Sequence, residues 1–241
     1  HYSTALALAG AFSGLFLLGL DAIASRESAQ TPRSTSAIMC AALLITIVWS
    51  PLVAGLIWEV ATRLGYPGET MMLLRPVLLI VWGRSVTNLL RGVLRGLNRI
   101  GLDSLTRVAD GMAGLTLVVV FLRAFGSVMS ASVGLAVASA LTLAGSLWLA
   151  SRVAQGSYSF DRQLVVELVR AAVPVGVASS IQLAYWKTGT VLMSVLRPVA
   201  DVGLFSVAFN TVLLSYGVSL AIISSVFPTL STLAVQDTRR F

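Results

Sequence analysis

Charge is what this sequence has least of. Only 11% of its 241 residues are charged while 56% are hydrophobic, and the mean hydropathy is +0.88. A soluble domain carries about a quarter charged residues, so this balance points to lipid as the solvent. Cysteine and histidine occur once each, as Cys40 and His1. A lone cysteine excludes an internal disulfide and a thiolate metal site. A lone histidine at the start of the chain excludes histidine triads and zinc clusters, and with them most acid–base enzymes. The expectation is therefore a protein that is not an enzyme, with no catalytic residues, no metal and no cofactor. Period-two alternation is missing too, which argues against a transmembrane barrel. Lysine is nearly absent: sixteen arginines accompany the single Lys187, which stands inside an apolar run.

What remains is long apolar stretches. Seven helices of spanning length are predicted at about 2–20, 37–58, 70–90, 108–124, 128–150, 168–196 and 203–227. Stop signals separate them, including "TPRST" at 31–35, "LGYPGE" at 64–69 and "AQGSYS" at 154–159. The connections are too short to hold a soluble domain. Eleven basic residues fall on one side, among them Arg26, Arg33, Arg91, Arg95, Arg99 and Arg107, against four on the other. That bias assigns the first side to the cytoplasm. It accounts for the net charge of +7 as a topology signal, with no nucleic-acid partner expected. The stretch 91–107, "RGVLRGLNRIGLDSLTR", reads as a cytoplasmic loop or short interfacial helix anchored on anionic membrane lipids. Its rival reading is a basic entrance that gathers an anionic substrate. Both chain ends read as cuts in a longer protein.

The two ends also resemble each other. Residues 2–29 laid over 205–232 without a gap match Ser3 to Ser206, Ala5 to Ala208, Gly14 to Gly217, Leu17 to Leu220 and Ser28 to Ser231. The helices so paired are the first and seventh, and both run the same way. That implies parallel repeats of six helices about an axis along the membrane normal, an arrangement in which transporters place substrate between lobes.

The segment "DVGLFSVAFNTVLLSYGVSLAIISSVFPTLSTLA" (201–234) resembles the signature of bacterial polysaccharide flippases of the O-antigen and teichoic-acid export type. Gly203, Phe205, Ser206, Ala208, Phe227, Pro228, Leu230 and Ser231 carry the likeness. "YSTALALAGAFSGLFLLGLDAIASRESA" (2–29) is similar to that family's second helix. The resemblance implies an all-α polytopic membrane protein, with about seven spans of a two-lobed transporter of about twelve to fourteen. Residues 1–165 would belong to the N-terminal lobe and 166–241 would begin the C-terminal one. It implies alternating access in the bacterial inner membrane, with an undecaprenyl-diphosphate oligosaccharide as cargo. Glycan polymerase or other assembly proteins are possible partners.

Such a cargo needs cations in a polar cleft. Lys187 lies near mid-depth of its helix, where an unpartnered lysine facing lipid costs about 2.5–3.5 kcal/mol. Gln182, Tyr185, Thr188 and Thr190 are expected to surround it. Family relatives place an acid two positions after a basic residue here, whereas this chain has Gly189. Arg84 and Asn88 share a helix face by their i, i+4 spacing, and a guanidinium there could grip a phosphate in a fork. Arg26, beside Glu27 and Asp21, is a candidate gate residue. The substrate-binding candidates are thus Lys187, Arg84, Arg26, Asn88 and Gln182. Each also has a structural reading: an inter-helix hydrogen bond for Lys187, snorkelling for Arg84 and dipole capping for Arg26. Asp110 is expected to pair with Arg107 or with a helix N-terminus. The principal alternative function is a cation-coupled multidrug antiporter of the same superfamily. A membrane glycosyltransferase or polymerase and a seven-helix receptor are further rivals.

Overall fold

A computed structural model describes residues 2–156 and 161–215, and every element among them is helical. In chain order they are α1 (Tyr2–Ala11), α2 (Ser13–Leu17), α3 (Leu20–Gln30), a 3₁₀ turn (Pro32–Ser34), α4 (Thr35–Arg63), α5 (Gly68–Gly96), α6 (Ile100–Phe125), α7 (Val128–Val153) and α8 (Arg162–Leu196). A shorter apolar helix, α9 (Val199–Ser215), follows. Helices α4 to α8 are each long and apolar enough to cross a bilayer, and α1 with α2–α3 makes a sixth, broken span. The chain is a polytopic helical membrane protein. The seventh expected span, about 203–227, is described only as far as Ser215, and Pro228 lies outside the described residues.

Helix α5 is the centre of the assembly. It packs against α1, α2, α3, α4, α6 and α7, and 72% of its apolar window is buried, against 6% for α6. Two apolar clusters form around it. One gathers Leu20, Ile23, Ile38, Leu89, Val93 and Leu168 towards the arginine-rich ends. The other gathers Leu8, Phe16, Val53, Ile57, Leu74 and Val77 towards the opposite ends. Arginine–tryptophan pairs stand at both levels: Arg152 is 5.3 Å from the Trp148 ring centre, and Arg75 is 5.7 Å from that of Trp58. Such amphipathic pairs favour headgroup depth.

The basic stretch 91–107 is not a loop. Helix α5 continues to Gly96 and α6 starts at Ile100, so only Leu97–Arg99 connect them. The reason lies in the spacing of Gly92 and Gly96. A side chain at either glycine would collide with the backbone of α3, at Asp21 and Ser25 respectively. Two glycines four apart thus form the surface on which α3 lies, the close approach that small residues permit in membranes. The polar helix ends extend beyond the apolar windows throughout. Asp161 caps α8 by accepting from the Gln163 N–H at 2.8 Å, and Ser127 caps α7 by accepting from the Ser130 N–H at 3.1 Å.

The first span, expected as one helix over 2–20, is broken instead, and its second part runs on to Gln30. Its two parts, Tyr2–Ala11 and Ser13–Gln30, meet at 46° across Phe12, and a second interruption follows between α2 and α3. Leu18 (φ 48°) and Gly19 (φ 76°) both adopt the left-handed conformation, which costs a residue such as leucine about 1–2 kcal/mol. Helix α8 compensates. Gly176 lies so close that an added Cβ would collide with the Leu18 backbone, and a Cβ on Gly19 would lie 2.7 Å from the Gly176 nitrogen. Groups freed by the break find partners, as a bilayer requires. The Leu15 carbonyl accepts from Trp49 Nε1 at 2.9 Å, and Ser13 Oγ donates to the Gly10 carbonyl at 2.7 Å. Gly176→Ala should therefore lower stability by about 1–3 kcal/mol through overpacking. Gly111→Ala, where no atom lies within 4 Å, should be neutral or slightly stabilising. Thermal melting of the purified full-length protein in detergent separates the two.

Candidate functional site

The broken span and α8 enclose a polar cavity of about 340 Å³, with α5 as its third wall. The break contributes Ser13, Gly14, Gly19 and Asp21, α8 contributes Ser179, and α5 contributes Arg84, Ser85 and Asn88. Arg84 and Asn88 are exposed within the mostly buried inner part of α5. Arg84 makes no hydrogen bond or ion pair among the described residues, and the same holds for Asp21. Asn88 is oriented from behind: its Oδ1 accepts from Arg91 Nη1 at 3.3 Å. With the amide oxygen so engaged, its N–H donors are left for the cavity.

Arg91 is itself locked. It is 5% exposed, and its Nε and Nη2 donate to Thr106 Oγ1 (3.0 Å) and the Thr106 carbonyl (2.8 Å). Asp110 Oδ2 lies 3.8 Å from Nη2, and Thr142 Oγ1 donates to the other Asp110 oxygen at 3.2 Å. Asp110 thus pairs across helices with Arg91 and Thr142, not with Arg107 or a helix N-terminus as expected. The cause is the earlier start of α6, which turns Asp110 towards α5 and α7. Arg107 instead takes Asp103 one turn away, at 3.3 Å. Helices α5, α6 and α7 are tied into one unit whose inner edge is Asn88.

A second cavity of about 150 Å³ lies between α1, α8 and α9. It is lined by Tyr2, Ser3, Leu6 and Ala7, by Lys187 and Thr190, and by Ser206, Val207, Phe209 and Asn210. The gapless alignment of the two ends pairs Ser3 with Ser206, Leu6 with Phe209 and Ala7 with Asn210, and all six line this one space. The repeat thus appears as two matched walls, with α8 between them. Lys187 is half-buried and makes no hydrogen bond or ion pair among the described residues. Its stem crosses Gly10, where an added Cβ would lie 3.4 Å from Lys187 Cε, and Gly10 also lines the first cavity. The two cations therefore border one continuous helix pair.

The remaining candidates lie elsewhere. Gln182 is exposed and lines neither cavity, because a helical step of about 100° per residue carries it round α8 from Leu183 and Lys187. Tyr185 is 79% exposed, and Thr188 Oγ1 donates to its own helix at the Ala184 carbonyl. Arg26 sits at the arginine-rich end of α3, its Nε 3.5 Å from Glu27. Asn210, Ser179 and Ser13 are site residues that the sequence reading missed. Asn210, a polar residue within an apolar run, carried the only local signal. No group of three or more potential metal ligands occurs among the described residues.

The polysaccharide biosynthesis protein profile matches residues 1–234, nearly the whole chain. The chain belongs to that family. No curated protein and no solved structure matches it. Members of the family are transporters and flippases rather than enzymes, and the family assigns this chain in general terms to polysaccharide export. For an exporter of this family the α5–α6–α7 network is a rigid wall, and its cross-helix pair makes a prediction. Asp110→Leu should destabilise the protein by about 3–5 kcal/mol, because Arg91 is left buried and uncompensated. Arg91→Leu combined with Asp110→Leu should recover most of that loss. Thermal melting of the single and double variants is the measurement.

Proposed function

We propose that the protein is a flippase that moves a lipid-linked oligosaccharide of the undecaprenyl-diphosphate type across the bacterial inner membrane. The observation that carries this reading is the pair of unneutralised cations, Arg84 and Lys187, in successive cavities along the crevice between the broken span and α8. Arg84 lies sixteen residues, about 24 Å of helical rise, from the outer end of α5. Lys187 lies nine residues, about 14 Å, from the outer end of α8. The two positive groups are thus staggered across the bilayer, Arg84 nearer the cytoplasm. A diphosphate would meet the Arg84 fork first, with the Asn88 amide beside it, and then the point charge of Lys187. Ser13, Ser179, Ser3, Ser206 and Asn210 offer hydrogen bonds to glycan hydroxyls. Asp21, which lines the same cavity as Arg84, would keep the first grip weak enough for release, as passage through successive sites demands.

In this reading residues 1–165 form one lobe and 166–241 begin the other, and access alternates as the lobes rock about the crevice. Asp21 gives the antiporter reading its one specific support, as an unpaired acid at a cavity where Na⁺ or H⁺ could bind. Two cations against one acid favour an anionic cargo.

Deletion of the gene in the parent bacterium should trap lipid-linked glycan on the cytoplasmic face. Lys187→Ala and Arg84→Gln should each lower rescue about tenfold or more at matched expression, the worth of one charge-assisted contact. Lys187→Arg should retain most of it. Drug hypersensitivity without trapped glycan would favour the antiporter, and full rescue by both neutral variants would remove the cations from the mechanism.

A further inference from the structure

On the far side of α2 from the polar cavity, α4 and α5 diverge to leave a groove of about 550 Å³. Its walls are Ile47, Pro51 and Ala54 on α4 and Leu79 on α5, with the buried Phe16 of α2 as its floor. Ile47 and Leu79 are 52% and 62% exposed, so the groove opens sideways into the hydrocarbon. Its side-chain hydroxyl and indole are already engaged: Ser50 Oγ donates to the Thr46 carbonyl and accepts from Trp82 Nε1 at 2.8 Å. One charged group remains, Arg75, at the end of the groove away from the arginine-rich helix ends. Its guanidinium rests over the Trp58 ring, a contact that uses none of its N–H donors. It makes no hydrogen bond or ion pair among the described residues. Arg75 lies seven residues, about 10 Å of rise, inside the end of α5, at the edge of the apolar zone. From it the groove runs seven further residues, about 10 Å, to the level of Trp82.

A fork of free donors at the headgroup end and an apolar channel leading inward are complementary to one kind of molecule. We infer that the groove between α4 and α5 binds an anionic phospholipid of the outer leaflet, its phosphate on Arg75 and one acyl chain against Phe16. The volume lies within the range of small-ligand sites. Anionic headgroups are favoured over choline ones because the ring face that would take a quaternary ammonium is already covered by Arg75. Phe16 faces the groove while its neighbours Gly14 and Leu17 face the polar cavity, so the lipid site is separate from the cargo path. It does not depend on which cargo that path takes.

The test is photo-crosslinking of the full-length protein in nanodiscs of phosphatidylglycerol and phosphatidylcholine in equal parts. One lipid at a time carries a diazirine on its acyl chain, and adducts are mapped by mass spectrometry. Adducts should fall on residues 47–54 and 78–82, with phosphatidylglycerol favoured about fivefold, the effect of one basic residue at the membrane surface. Arg75→Gln should abolish that preference and leave phosphatidylcholine labelling unchanged, while Arg75→Lys should keep most of it. Ala54→Trp, a half-buried position on the groove wall, should remove adducts of both lipids without changing the melting temperature. Equal labelling by the two lipids in the wild type, or an undiminished preference in Arg75→Gln, would overturn the assignment.

Discussion

At Gly176 two helices touch backbone to backbone, and the rest of the site depends on that contact. With no side chain between them, α8 lies directly on the left-handed turn at Leu18–Gly19 and holds a break that would otherwise be strained. The same closeness, carried outward along α8, lays the Lys187 stem on Gly10, which also lines the first cavity. In a bilayer, lipid tails are as apolar as leucine, so helices gain little by hiding apolar surface from them. Close approach is what remains, and this chain uses it repeatedly: Gly92 and Gly96 against α3, Gly83 against Ser139, Gly134 against Leu117. Without such contacts each cation would face hydrocarbon, at a cost of about 2.5–3.5 kcal/mol on insertion scales.

The membrane class and the spans were legible in the sequence because charge is rare and the apolar runs are long. The family was legible in residues 201–234, and three of the pairs aligned 203 positions apart line one cavity. What escaped the reading has physical causes. Gly19 has the look of any membrane-helix glycine, and only the approach of Gly176, more than 150 residues later, turns it into a break. The basic residues of 91–107 suggested a loop or short interfacial helix, because local reading cannot see α3 packing on Gly92 and Gly96 and carrying α5 on to Gly96. The partner of Asp110 needs three helices to be placed at once. Lys187 is the clearest case: of its expected neighbours Thr190 lines the same cavity, whereas Gln182 and Tyr185 point elsewhere and the remaining walls come from α1 and α9.

The two halves of the site differ in kind. Arg91, Thr106, Asp110 and Thr142 bind α5, α6 and α7 into a wall that fixes Asn88. Across the crevice, α8 meets the broken span at glycine contacts, and its outer end is tied to the α4–α5 connection, where Ser194 Oγ lies 2.7 Å from the Tyr66 hydroxyl. In the proposed flippase the networked wall bears one cation and α8 bears the other, on opposite sides of the crevice that would take the anionic headgroup.

The central claim is that this crevice recognises a diphosphate. It is tested most directly by reconstituting the full-length protein in liposomes and following the transbilayer movement of one fluorescent oligosaccharide. The glycan would be presented on undecaprenyl diphosphate and on an uncharged polyprenyl carrier of the same length. The account predicts rapid, protein-dependent movement of the diphosphate-linked glycan and little of the neutral one. Equal movement of both would contradict it.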